Sequence, residues 1–285
     1  MSKELDAYLS RLPQRVTDNI FLIWRSKYQQ DDNLLSMEDL ENSLNLNPVG
    51  LPSRLSETAK FSSPLIYNQV MRECILCTHK SLAILRSIVR DLSSGQQTYS
   101  DVSAYLANML MGRAICLFLG IWFSPCKVNN DYYLIDLFFK KPTGYESRAF
   151  NIKNFRMNHE VLWKLFIELM KNTQGSHITP QIISFISTVK PSDFALHRNH
   201  LQYSYHNWTF DDLCKDDEVG CEWFTEYQFN LALDFQNFSS HANKLLLLEL
   251  LNFFIELFKP IAVMPELKHH LELFEENLNS FKNWI

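Results

Sequence analysis

The run Leu245-Leu-Leu-Leu-Glu-Leu-Leu-Asn-Phe-Phe-Ile-Glu-Leu-Phe258 constrains the fold more than any other stretch. As a helix it is apolar nearly all round, so no single neighbour can cover it. A bilayer span needs about 20 predominantly apolar residues. This run is shorter and is interrupted by Glu249, Asn252 and Glu256. It therefore reads as a helix buried on several sides, either the central helix of a core or part of a subunit interface. Leu247, Leu250 and Phe254 are the positions through which such an interface would be built, and Tyr203 is a further interface candidate.

A helix of that kind needs other helices around it, and the rest of the chain offers them. Apolar residues at three- and four-residue steps run from Ile66 to Leu92 and again from Tyr105 to Ile121. Ser93-Ser94-Gly95 separates the two, Ser100 or Asp101 starts the second, and Pro125 closes it. Small residues at Ala104, Ala107, Gly112, Ala114 and Gly120 would let neighbouring helices approach closely. Asn158 is placed to cap a helix carrying Val161, Leu162, Leu165, Phe166 and Leu169. Thr179-Pro180 opens another. Helix resumes from Trp223 to Phe235, Ser239 or Ser240 caps the apolar run, and a last amphipathic helix runs from Leu267 to Trp284. Glycine is scarce, at 7 of 285 residues, and neither G-x-G-x-x-G nor a Walker A pattern occurs. The expected class is all-α, a multi-helix bundle with helical N- and C-terminal extensions.

Two stretches are less regular. Asp131-Tyr-Tyr-Leu-Ile-Asp-Leu-Phe-Phe139 has few β-branched residues and is expected to be irregular or a short helix. Residues 140 to 155, with Pro142 and Gly144, are expected to be a loop. The N-terminus reads as helical to about residue 46, interrupted at Pro13, with a short capped helix at Ser36-Met-Glu-Asp-Leu-Glu. Asn47-Pro48-Val49-Gly50-Leu51-Pro52-Ser53 is rich in turn residues and marks the boundary. This divides the chain into an N-terminal helical segment and linker, 1–60, and a main helical domain, 61–285.

Cys74 and Cys77 form a C-x-x-C with His79 nearby, but a zinc site would need a second ligand pair. Cys214 and Cys221 do not supply one. Inside an apolar helix the pair behaves as small hydrophobes. Asp211-Asp212 and Asp216-Asp217-Glu218 lack the glycine and distal glutamate of a calcium loop and read as a solvated loop. No metal and no cofactor is expected. The N-terminus is charged and has no apolar core segment, so a cytoplasmic, reducing location is expected, without a membrane. A net charge of −5 argues against a protein dominated by nucleic-acid electrostatics.

Chemistry concentrates between Ser192 and Trp208, where His197, Arg198, His200 and His206 stand among aromatic residues. Pro191 ends the preceding element, Ser192 or Asp193 can cap a helix, and Phe194, Leu201 and Tyr205 share one face. On an ideal helix His206 lies about 80° around from Arg198. A guanidinium and an imidazole in one pocket can stabilise a phosphorane and move a proton near neutral pH.

Arg198-Asn199-His200-Leu201-Gln202-Tyr203 resembles the late-helix signature of HEPN domains, small helical domains whose nuclease members carry Arg, often Asn, then four to six residues, then His. Arg198 and Asn199 match. The histidine window, 203 to 205, holds Tyr203, Ser204 and Tyr205, and His206 falls one position late. Tyr203 is similar to the variant found in non-nuclease members. The helices from residue 65 and the small-residue helix at 104–120 are similar in texture to the opening of such a domain, so the resemblance covers about 65–210. It implies a non-catalytic interaction or accessory subunit of a larger prokaryotic assembly of the anti-phage defence kind, with a protein partner or a second copy of the chain. The alternative it implies is a metal-independent endoribonuclease acting on RNA. There Arg198 would stabilise the phosphorane, His206 would serve as acid or base, and Asn199 would orient substrate.

Overall fold

A computed structural model describes residues 3–29, 59–60, 65–94, 96–128, 131–141, 144–152, 158–175, 177–203, 231–236 and 242–284. The chain order is α1 (Lys3–Leu9), β1 (Arg15–Val16), α2 (Thr17–Lys27), β2 (Ala59–Lys60), α3 (Leu65–Ser93) and α4 (Gln97–Phe118). Then come β3 (Ile121–Val128), β4 (Asp131–Lys141), β5 (Gly144–Ile152), α5 (His159–Lys171) and β6 (Thr173–Gln174). The last elements are α6 (Pro180–Thr188), α7 (Pro191–Tyr203), α8 (Leu231–Gln236), α9 (Ala242–Phe258) and α10 (Pro265–Trp284). Helices make up most of this, so the protein is a mainly all-α, multi-helix fold.

The centre is the α3–α4 hairpin. The two helices run antiparallel, with Cys74 Sγ donating to the Ala114 carbonyl at 3.2 Å and Ser81 Oγ to the Ala107 carbonyl at 3.1 Å. α9 lies against α4 and is buried nearly all round, as its composition requires. Leu247, Leu250 and Phe254 are buried within the chain itself, at 0–1% exposure. Phe254 packs edge-on against Phe118, and Phe258 does the same against Phe274 of α10. These positions form core here and leave no side-chain surface for a partner. Asn158 caps α5 by accepting from the Val161 amide at 2.9 Å, and Thr179 caps α6 ahead of Pro180.

Several sequence expectations are corrected. α4 begins at Gln97, so Ser100 and Asp101 lie inside it, fully buried, rather than capping it. It ends at Phe118, well before Pro125, because Gly120 (φ +90°) takes the left-handed conformation that closes a helix. A Cβ at Gly120 would fall 2.2 Å from Phe138, so the position also needs the space. The stretch expected to be irregular is β4, and the expected loop contains β5. With β2 and β3 they form an antiparallel sheet in the order β2-β5-β4-β3. Residues 133–138 of β4 are buried on both faces, so the strand shows no apolar/polar alternation, and its one charged residue, Asp136, is sealed inside with its partners. The ladder between β3 and β4 shifts register between Phe123 and Lys127, around Pro125 on the edge strand. α7 starts at Pro191, with Asp193 reaching back to accept from the Lys190 amide at 2.8 Å.

α1 and α2 bury side chains in the same core as the hairpin. Trp24 Nε1 donates to the Phe118 carbonyl at 2.9 Å, and Trp24 stands edge-on to Phe138. The Ser36 helix, the turn-rich 47–53 connection, the acidic 211–218 stretch, Cys214 and Cys221 lie outside the described residues.

Candidate functional site

The residues singled out from the sequence fall on and beyond α7. Asn199 is exposed there. Arg198 and Tyr203 also belong to α7, but their side chains lie outside the described residues, as does all of His206. How Arg198, Asn199 and His206 stand relative to one another therefore lies outside the described residues. What it does place is the other side of α7. Phe194 stacks on Trp163 with ring centroids 3.8 Å apart, and His197, fully buried, stacks on Phe235.

His197 belongs to a polar cluster where α7 meets α4 and α9. Its Nδ1 lies 3.0 Å from the Asn243 amide nitrogen, a bond donated to the ring when the ring proton sits on Nε2. Asn108 Nδ2 donates to the Asn243 carbonyl at 2.8 Å. One residue on, Lys244 Nζ lies 3.0 Å from Asp101 Oδ1 and 3.3 Å from Ser100 Oγ, with both charged side chains at 0–1% exposure. Ser100, Asp101, His197 and Lys244 each engage further groups besides these. A buried ammonium and carboxylate neutralise each other, so this cluster cross-links three helices. Sequence reading missed it because its members lie far apart in the chain. The signal was Asn243-Lys244 at the head of an otherwise apolar helix.

A second buried cluster ties the N-terminus to the sheet. Arg15 donates through Nη2 to Asp136 Oδ1 at 2.6 Å and through Nε to the Leu119 carbonyl at 2.8 Å. Tyr8 donates to Asp136 Oδ2 at 2.9 Å, and the Phe138 amide to Asp136 Oδ1 at 3.0 Å. Burial and the adjacent carboxylate push the Tyr8 phenol well above its ordinary value. Burial, the largest single influence, opposes the Arg15 charge, but Asp136 and Tyr8 together outweigh it, so the guanidinium is held above its ordinary value.

The three thiols among the described side chains are also closed off. Burial pushes Cys74 well up, Cys77 to about 11 and Cys116 to about 12, which leaves them unreactive. All three are free.

The open chemistry lies along the seam between α3 and α10. At one end His79 Nε2 and His270 Nδ1 are 3.0 Å apart, both half-buried, with Phe274 against each ring. Further along, Arg86 donates through Nε to Asn277 Oδ1 at 2.8 Å. Beside it is a groove of about 500 Å³ floored by Leu82, Leu85, Val89, Leu273 and Phe281, with Arg86 and Glu276 at its edge. Among the described residues no group of three or more histidines, cysteines and carboxylates is arranged to hold a metal ion, and no helix is long and apolar enough to cross a membrane. Comparisons with protein families, with curated proteins and with solved structures find no match to this chain.

Proposed function

We propose that the chain is a non-catalytic helical module, an accessory subunit that docks a protein partner on the α3/α10 seam. The groove carries this reading. Its apolar floor between two helices, with a cation and a carboxylate on its edge, suits the apolar face of an amphipathic helix from the partner. The two buried polar clusters support it, since their ionisable groups face each other inside the core. The resemblance of Arg198-Asn199 and Tyr203 to non-nuclease HEPN domains supports a prokaryotic, defence-type assembly as the setting. Leu247, Leu250 and Phe254 are buried in the chain's own core, so the surface proposed for docking is this seam and not α9.

Cleavage of single-stranded RNA separates this reading from the ribonuclease alternative. Purified wild-type chain should leave labelled RNA intact in metal-free buffer. Cleavage that disappears in Arg198→Ala would replace the interaction module with an endoribonuclease.

A further inference from the structure

The seam holds a pair of side chains that docking does not use. His79 and His270 are separated by 191 residues, yet their Nε2 and Nδ1 atoms stand 3.0 Å apart across two packed helices. One ring must be donor and the other acceptor for this to be a hydrogen bond. The same approach serves another purpose. An ion with metal–nitrogen bonds of about 2.0–2.1 Å in tetrahedral geometry holds two imidazole nitrogens about 3.3–3.4 Å apart. A small rotation of each ring supplies the difference.

We propose that His79 Nε2 and His270 Nδ1 clamp one divalent ion of the zinc, nickel and copper class, tying α10 to α3. Imidazole nitrogen is the donor these borderline ions prefer, whereas magnesium and calcium take oxygen. Both rings are half-buried, so water can complete the coordination. Water is needed, because no larger cluster of metal-binding side chains occurs among the described residues. An imidazole whose ordinary value is about 6.5 is mostly neutral at pH 7 and above, the form that ligates a metal ion. The two rings leave helices already packed through His79, His270 and Phe274, so little ordering is needed on binding. Cys74 and Cys77 are not part of the clamp. Cys74 faces α4, and both thiols are buried and held protonated. His269, exposed next to His270, is not a required ligand. This inference is independent of the docking reading.

The test uses the full chain, stripped with chelator and titrated separately with Zn²⁺, Ni²⁺, Cu²⁺ and Mg²⁺. Equilibrium dialysis with metal analysis should give one transition ion per chain, tightest for Cu²⁺, and none for Mg²⁺. The thermal midpoint should rise by about 2–4 °C at saturation. His79→Ala and His270→Ala should each abolish binding and the rise, and His269→Ala should keep both. His79→Gln, which keeps a polar group at the seam, repeats the test if the alanine variant folds poorly by circular dichroism. A wild type that binds no ion overturns the clamp. Binding that survives both His79→Gln and His270→Ala overturns it equally.

Discussion

The Arg15–Asp136–Tyr8 cluster and the α3/α10 seam treat polar groups in opposite ways. In the first, a full ion pair is sealed from water, and every partner is a fixed donor or acceptor of the core. In the second, neutral or singly charged groups meet across a half-open seam: imidazole with imidazole, guanidinium with an amide oxygen. Sealed charges are costly to disturb, because losing one partner strands the other without water. Half-open neutral pairs can exchange partners cheaply. The contrast separates what holds the protein together from what is free to bind.

The largest expected effect comes from breaking the sealed pair. Asp136→Ala should lower stability by about 3–5 kcal/mol, seen as a lower urea midpoint, since Arg15 would stay buried and charged. A loss under about 1 kcal/mol, the range of an exposed pair, would show that water reaches the cluster. Next to it, Gly120→Ala should cost about 1–3 kcal/mol, because the residue has φ +90° and Phe138 fills the space a Cβ needs. A neutral result would mean that Phe138 and the α4 terminus rearrange freely.

The smallest effect belongs to the seam and depends on pH. His79 and His270 are lowered from the ordinary value of 6.5, in both cases by burial first; His269 and Arg86 then act on His79, and His79 and His269 on His270. Lowered histidines favour the folded state while neutral. Their contribution is therefore present above about pH 6.5 and is lost as pH falls through the lower folded values. In metal-free buffer the wild type should lose more stability between pH 7 and pH 5 than the His79→Ala, His270→Ala double variant. Equal pH slopes in the two proteins would show that the pair does not titrate with folding.

Much of the helical fold was written in the sequence, though unevenly. Local signals worked. The caps at Asn158 and Thr179-Pro180 and the apolar stripes of α3, α5 and α10 each declare themselves within a few residues. The all-round apolar run of α9 required a position such as the one it occupies. Strand β4 was missed because burial on both faces removes the alternation that marks a half-exposed strand. Its tyrosines and phenylalanines favour strands as β-branched residues do. Gly120 looked like a small helix-packing residue, and only the backbone angle shows that it ends the helix. The polar contacts were illegible for a different reason. Arg15 and Asp136, Asp101 and Lys244, and His79 and His270 are partners by tertiary packing, and no local spacing connects them. The stretch from Ser192 drew attention by composition; among its described residues His197 joins a buried polar cluster and Phe194 stacks on Trp163.

The seam as the docking surface is tested most directly by recovering the chain from the cells in which it is native. Tagged wild type and the variants Val89→Asp and Leu273→Asp, both at half-buried groove positions, are compared by size and by subunit stoichiometry. Leu22→Asp, at an exposed position on α2 away from the groove, serves as control. We predict a defined protein partner at fixed stoichiometry with the wild type and Leu22→Asp, absent from both groove variants, which keep their helical spectrum. A partner retained at the same stoichiometry by folded Val89→Asp and Leu273→Asp would contradict the assignment of the seam.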